Sequence, residues 1–207
     1  MRWSSMALVL AFAGLAVAQE ANPDEAVRQA LASHKLKARF DATPVDEVLD
    51  TVREVAMVNV AVVASSTDDK KFTLNSRSGD ASARSVLEAI ALSDETFTYE
   101  VWRGFLFVSS KELPRKAPPQ ADLSEEARKS CSEHKLTASF VEVSVSEFLD
   151  FLSDSTKLSF SAAQGVADLR FTLRVKDAPA GAVLDVVCRL LQLRVQRAGD
   201  VNVLKSR

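Results

Sequence analysis

The chain has 207 residues, 47% hydrophobic and 26% charged, a composition of globular rather than disordered or fibrous proteins. Its 26 Lys and Arg against 28 Asp and Glu leave a formal charge of −2. With no basic stripe along the chain, a partner held mainly through its phosphates, such as a nucleic acid, is excluded.

The chain opens with Arg2, then an uncharged apolar run, MALVLAFAGLAVA, over residues 6–18. The run ends in Ala16-Val17-Ala18, the small-x-small pattern of a signal-peptidase site, and is shorter than the roughly 20 residues of a spanning helix. Residues 1–18 therefore read as a cleaved export signal near Ala18. The mature chain is expected to be exported, with no membrane insertion after cleavage. Residues 19–33 follow as an N-terminal segment.

Residues 34–50, HKLKARFDATPVDEVLD, return at 134–150 as HKLTASFVEVSVSEFLD, with nine of 17 positions identical and no gap. The kinship continues more weakly: KFTL at 71–74 matches RFTL at 170–173, and FTYEVWRGFLFVSS at 97–110 matches LRVQRAGDVNVLKS at 193–206. The chain thus holds two copies of a unit of about 75 residues, a first module over 34–110 and a second over 128–207. The Pro- and charge-rich stretch 111–127 reads as a semi-extended linker.

Within each copy the periodicity alternates between two and 3.6. Leu36, Ala38 and Phe40 alternate with Lys37 and Arg39, a strand with one buried face. Val45, Val48, Leu49, Val52 and Ala56 form a helical stripe, matched by Val145, Phe148, Leu149 and Leu152 in the second copy, where Ser144 and Glu147 have capping-box spacing. A short strand follows at 59–64. Phe72 and Leu74, and Phe171, Leu173 and Val175, mark another strand. A second helix carries Ala83, Val86, Leu87 and Ile90, or Val183, Leu184, Val187 and Leu191. A hairpin closes each copy, with its turn at Arg103-Gly104 or Gly199-Asp200. The order β-α-β-β-α-β-β predicts an α+β class, two helices on a small mixed sheet in each of two tandem modules.

This pattern, carried best by Phe40, Pro44, Val45, Val48, Leu49, Phe72, Leu74, Leu87, Phe97, Tyr99 and Gly104, resembles the short N-terminal domain shared by secretins and TonB-dependent receptors. Copy two departs from it in having Ser144 where the family often has Pro. The resemblance implies a periplasmic module that works by protein–protein contact. The implied partner is an envelope protein, such as a secretin, pilus or TonB-system component, or a further copy of the chain itself. It implies an adaptor or accessory component, or else a self-assembling structural protein of the envelope.

Several residues invite a sharper reading. His34 and His134 share one repeat position, and one histidine per copy is too few for a closed zinc site. Cys131 and Cys188 occur only in the second copy, where Leu31 and Ala91 stand in the first. An exported protein permits a disulfide between them, the alternative being two buried thiols. Trp102, near a hairpin tip and out of phase with Phe97, Tyr99 and Val101, is expected to lean outward. It would anchor a partner, or pack on the neighbouring copy or its own hairpin. Asp68-Asp69 and Glu125-Glu126 read as solvated charge. With no nucleophile elbow, phosphate-cradling glycine loop or zinc-protease motif, the sequence predicts neither an enzyme nor a cofactor.

Overall fold

The computed structural model describes residues 22–62, 70–110 and 122–206. The export signal at 1–18, the Asp68-Asp69 pair and most of the 111–127 linker lie outside them. The class is α+β, as the periodicity predicts, and one element order occurs twice. In the first repeat it is α1 (Pro23–Ser33), β1 (Lys35–Pro44), α2 (Val45–Ala56), β2 (Asn59–Val62), β3 (Lys71–Ser82), α3 (Ala83–Ser93), β4 (Phe97–Trp102) and β5 (Phe105–Ser110). The second repeat gives α4 (Glu125–Glu133), β6 (Lys135–Ser144), α5 (Val145–Thr156), β7 (Ser159–Ala162), β8 (Arg170–Pro179), α6 (Ala180–Leu190), β9 (Leu193–Ala198) and β10 (Val201–Ser206).

Each repeat therefore has a third helix ahead of the first expected strand. Its signals stand in the sequence. The Asn22 side chain accepts from the Asp24 amide and Pro23 opens α1; the Ser124 hydroxyl accepts from the Ala127 amide at the start of α4. Val27 and Leu31, and Ala127 and Cys131, face inward at helical spacing. The second repeat accordingly starts before residue 128, inside what reads as linker.

The shared sequence words have structural causes. The histidine of HKL ends the first helix: Nδ1 of His34 lies 2.9 Å from the Ala30 carbonyl, and Nδ1 of His134 lies 2.8 Å from that of Ser130. The carbonyls of the same histidines accept the first amides of α3 and α6, Ala83 and Ala180, at 3.0 and 2.8 Å. One residue thus ties a helix end, a strand start and another helix start together. Replacing His34 or His134 by Ala is expected to cost about 1 kcal/mol each, read by urea unfolding.

The word FTL has a similar role. Both first strands bulge after their phenylalanine, putting Ala42 and Glu142 at φ 47° and 52°. The hydroxyls of Thr73 and Thr172 accept the bulged amides at 2.9 and 3.3 Å. Phe72 and Phe171 pack beside Phe40 and Phe140, with centroids 6.0 and 6.1 Å apart.

One expectation changes in kind. The strands of a repeat do not form one small sheet. β1 and β3 pair antiparallel as a two-stranded sheet, and β7, β10 and β9 form a three-stranded one. The other five strands make a single sheet that crosses the repeats, in the order β4-β5-β2-β8-β6. β2 of the first repeat pairs antiparallel with β8 of the second, through Val60↔Arg174, Ala61↔Leu173 and Val62↔Thr172. The two repeats share a sheet rather than sitting as beads on a spacer.

A polar clasp closes α3. Asp94 accepts from the amide and hydroxyl of Thr96 at 2.9 and 2.8 Å, and Lys70 Nζ stands 2.7 Å from its carboxylate. Burial works against ionisation here, but the Lys70 ammonium and the Thr96 donors outweigh it and hold the carboxyl down at about 2. A depressed folded pKa gives stability that is complete above the unfolded value of about 3.9 and lost as pH falls toward the folded one. Asp94→Asn should therefore flatten the stability–pH curve between about pH 4 and about pH 2, measured by chemical denaturation across that range.

Candidate functional site

The seam between the repeats is the most specialised region described. The outer face of β2 and β5 is apolar: Ala61, Phe105 and Phe107 are buried in the core of the second repeat, and α6 lies over them. A helix packed on two sides has to be apolar nearly all round. Every residue of α6 from Val183 to Leu190 is buried, Asp185 and Arg189 included.

Two buried charges on such a helix need partners, and the β4–β5 hairpin of the first repeat supplies them. Arg103 forms an ion pair with Asp185, and Glu100 one with Arg189. The Arg189 guanidinium lies between two rings, 4.6 Å from Trp102 and 4.7 Å from Phe107. Around this centre Arg174 reaches Asp50 at 3.0 Å, and the Lys176 amide donates to Asn59 Oδ1 at 2.7 Å. The Gly104 amide donates to Asp24 Oδ1 at 2.7 Å, tying the hairpin turn back to the start of α1.

Trp102 is therefore an anchor, but for its own chain: it is half-buried against the second-repeat core. Of the readings open for it, packing on the neighbouring copy is what the fold adopts. Sequence reasoning missed Glu100, Arg103, Asp185 and Arg189. The signal available was a charged pair, Asp185 and Arg189, set inside the otherwise apolar run AVLDVVCRLL.

Cys131 and Cys188 are two buried thiols that are not bonded to each other, which corrects the expected disulfide. Cys131 on α4 packs against Gly181, where an added Cβ would stand 3.4 Å from its own. Cys188 is seven residues further along α6, about 10 Å up the helix axis, whereas a disulfide needs Cα atoms within about 7 Å. Burial, with the nearby Asp185 charge, pushes the Cys131 thiol up to about 11. Cys131 should resist alkylation at neutral pH until denaturant is added, as intact mass would show.

Beside the seam runs a groove between α4 and α6. Its floor holds Leu123, Cys131, Gly181 and Ala182, and Arg103, Arg128, Lys129 and Glu125 stand around it. Its volume is about 620 Å³. An apolar floor within a charged rim can receive a peptide segment. Among the described residues no three His, Cys, Asp or Glu side chains come together as a metal-binding group, and the two histidines are engaged as helix caps in separate repeats.

Fold and site together define a small α+β protein whose two repeats are locked into one body by a charged, aromatic seam. Comparison with models of known protein families and with curated proteins gives no match.

Proposed function

We propose that this chain is an exported protein–protein interaction module, an adaptor or accessory component of a secretion, pilus or TonB-dependent system of the envelope, working by contact rather than by catalysis. The observation that carries this reading is the groove between α4 and α6, open beside a seam that holds both repeats in one orientation. A rigid body with a preformed groove loses little entropy when a partner docks. The resemblance of both copies to secretin and receptor N-terminal domains supports the compartment, as does the apolar run ending at Ala18.

The test is a photo-cross-linking amino acid at Arg128, introduced into the full chain in its own cells. The expected product is an adduct with an envelope protein, lost when Ala182→Asp puts a carboxylate on the groove floor. Retention of the uncleaved chain in the cytoplasm would sink the export half of the reading. An adduct with other copies of the chain alone would replace the adaptor by the self-assembling alternative.

A further inference from the structure

Because the repeats are copies, each carries a counterpart of the face it does not use in the seam. The second repeat keeps a three-stranded sheet, β7-β10-β9, equivalent to β2-β5-β4, and the outer edge of β7 pairs with no described strand. The first repeat keeps β3 and α3, equivalent to β8 and α6, and the second edge of β3 is likewise without a described strand. The seam is one-directional, so these two surfaces, paired with no described strand, have opposite roles in it.

Three observations show what fits between them. First, β7 reads Ser159-Phe160-Ser161-Ala162. Among the described edge strands it alone carries no charged residue and no proline, the usual guards of an open edge. Second, two rows on the outer face of its sheet carry no aromatic or charged side chain: Ser159, Val201 and Ala198 stand in one and Ser161, Val203 and Gln196 in the next. Third, Leu92 is the most exposed of the large apolar side chains among the described residues, at 87%. It occupies the position of Arg189, the centre of the seam.

One of the seam's two charge pairs changes in step at the two ends. In the seam a buried cation, Arg189, needs Glu100. At the ends Leu92 replaces that cation and Gln196 that anion, while the seam's other pair, Asp185 and Arg103, is replaced by Glu88, paired with Arg84 on its own helix, and Gly199. Val203 and Ala198 replace Phe107 and Trp102 as the surface Leu92 would cover. Leu74, half-buried where its counterpart Leu173 is fully buried, would face Ser161 as Leu173 faces Ala61.

We propose that a second copy of this chain docks head-to-tail, with its β3 pairing antiparallel along β7 and its α3 lying over β7-β10-β9, the seam repeated between chains. Such an interface is heterologous, so it yields a ring or a filament according to whether the rotation closes. The proposal goes beyond the adaptor reading and does not depend on it, since the α4–α6 groove is used by neither end.

The test uses the full mature chain in two single-substitution forms, Ser161→Cys and Leu74→Cys, with the native thiols buried. Under mild oxidation a mixture should give a covalent dimer whose linking peptide joins positions 161 and 74, while either form alone gives none. Leu92→Asp, at an exposed position, should keep the circular dichroism spectrum and thermal midpoint of the parent. It should also weaken association about tenfold or more in sedimentation velocity, because an apolar contact becomes a buried carboxylate. A 161-to-161 link would overturn the proposal in favour of two-fold pairing of β7. So would a parent chain that stays monomeric at its solubility limit, or a Leu92→Asp chain that associates like the parent.

Discussion

Glu100→Gln should destabilise the protein by about 2–3 kcal/mol, far more than a substitution at a side chain 47% exposed normally costs. The reason lies across the seam. Arg189 is only 4% exposed, so removing the Glu100 carboxylate leaves a guanidinium shut off from water without the anion it is paired with. The rings of Trp102 and Phe107 recover only part of that cost. Adding Arg189→Leu should restore most of the loss, because an apolar side chain between two rings needs no counter-ion. The pair Leu and Gln at these two positions is the combination the chain carries at its two ends, Leu92 and Gln196. Urea unfolding of the two single variants and the double variant gives the coupling directly. Additive losses in the double variant would show that Arg189 matters through its shape rather than its charge.

The second large effect is expected at Ala61. Ala61→Asp places a carboxylate opposite Leu173, where both residues are 0% exposed between the repeats. With no donor facing it there, the cost should reach about 4 kcal/mol or more. The single unfolding transition of the fused body should split in two or shift far to lower denaturant. Ser161→Asp is the control: the same repeat position, exposed on β7 of the single chain, should stay within about 0.5 kcal/mol of the parent at concentrations too low for chains to associate. An equal loss at both positions would mean that the repeats contribute independently and that the shared sheet adds little.

Both effects depend on a contrast between copies that hydrophobic pattern alone does not reveal. Ala61 and Ser161, Trp102 and Ala198, and Arg189 and Leu92 are paired positions whose differences look like drift until the seam is known. In the structure each is explained by whether a second layer covers it. The outer face of β2 and β5 is apolar because α6 lies on it, and the equivalent face in the second repeat is small-residued and open.

The groove was illegible for a related reason. Its floor belongs to α4, a helix that opens within a stretch of prolines and charges, and to Gly181 and Ala182 on α6. Small residues on a helix carry no periodic signal of their own. The first helix of each repeat was readable in principle from Asn22-Pro23 and Ser124, but two buried residues per helix make a faint stripe.

The amino-acid sequence by itself determined the α+β class, the duplication, the apolar stripes of α2, α3, α5 and α6, the Ser144–Glu147 capping box and the two closing hairpins. These are local properties, set by periodicity, caps and turns acting over one or two turns of chain. Only the tertiary structure decided that β8 and β6 leave their own repeat's sheet to extend that of the first. It alone decided that Trp102 faces inward across the seam and that Cys131 packs on α6 at Gly181, two helical turns before Cys188. Strand edges carry the same backbone donors and acceptors whatever their side chains, so the choice of neighbour is made by the surfaces that close around the pair. Here those surfaces are Arg189 between two rings and Asp185 under Arg103, residues more than 80 positions from their partners along the chain.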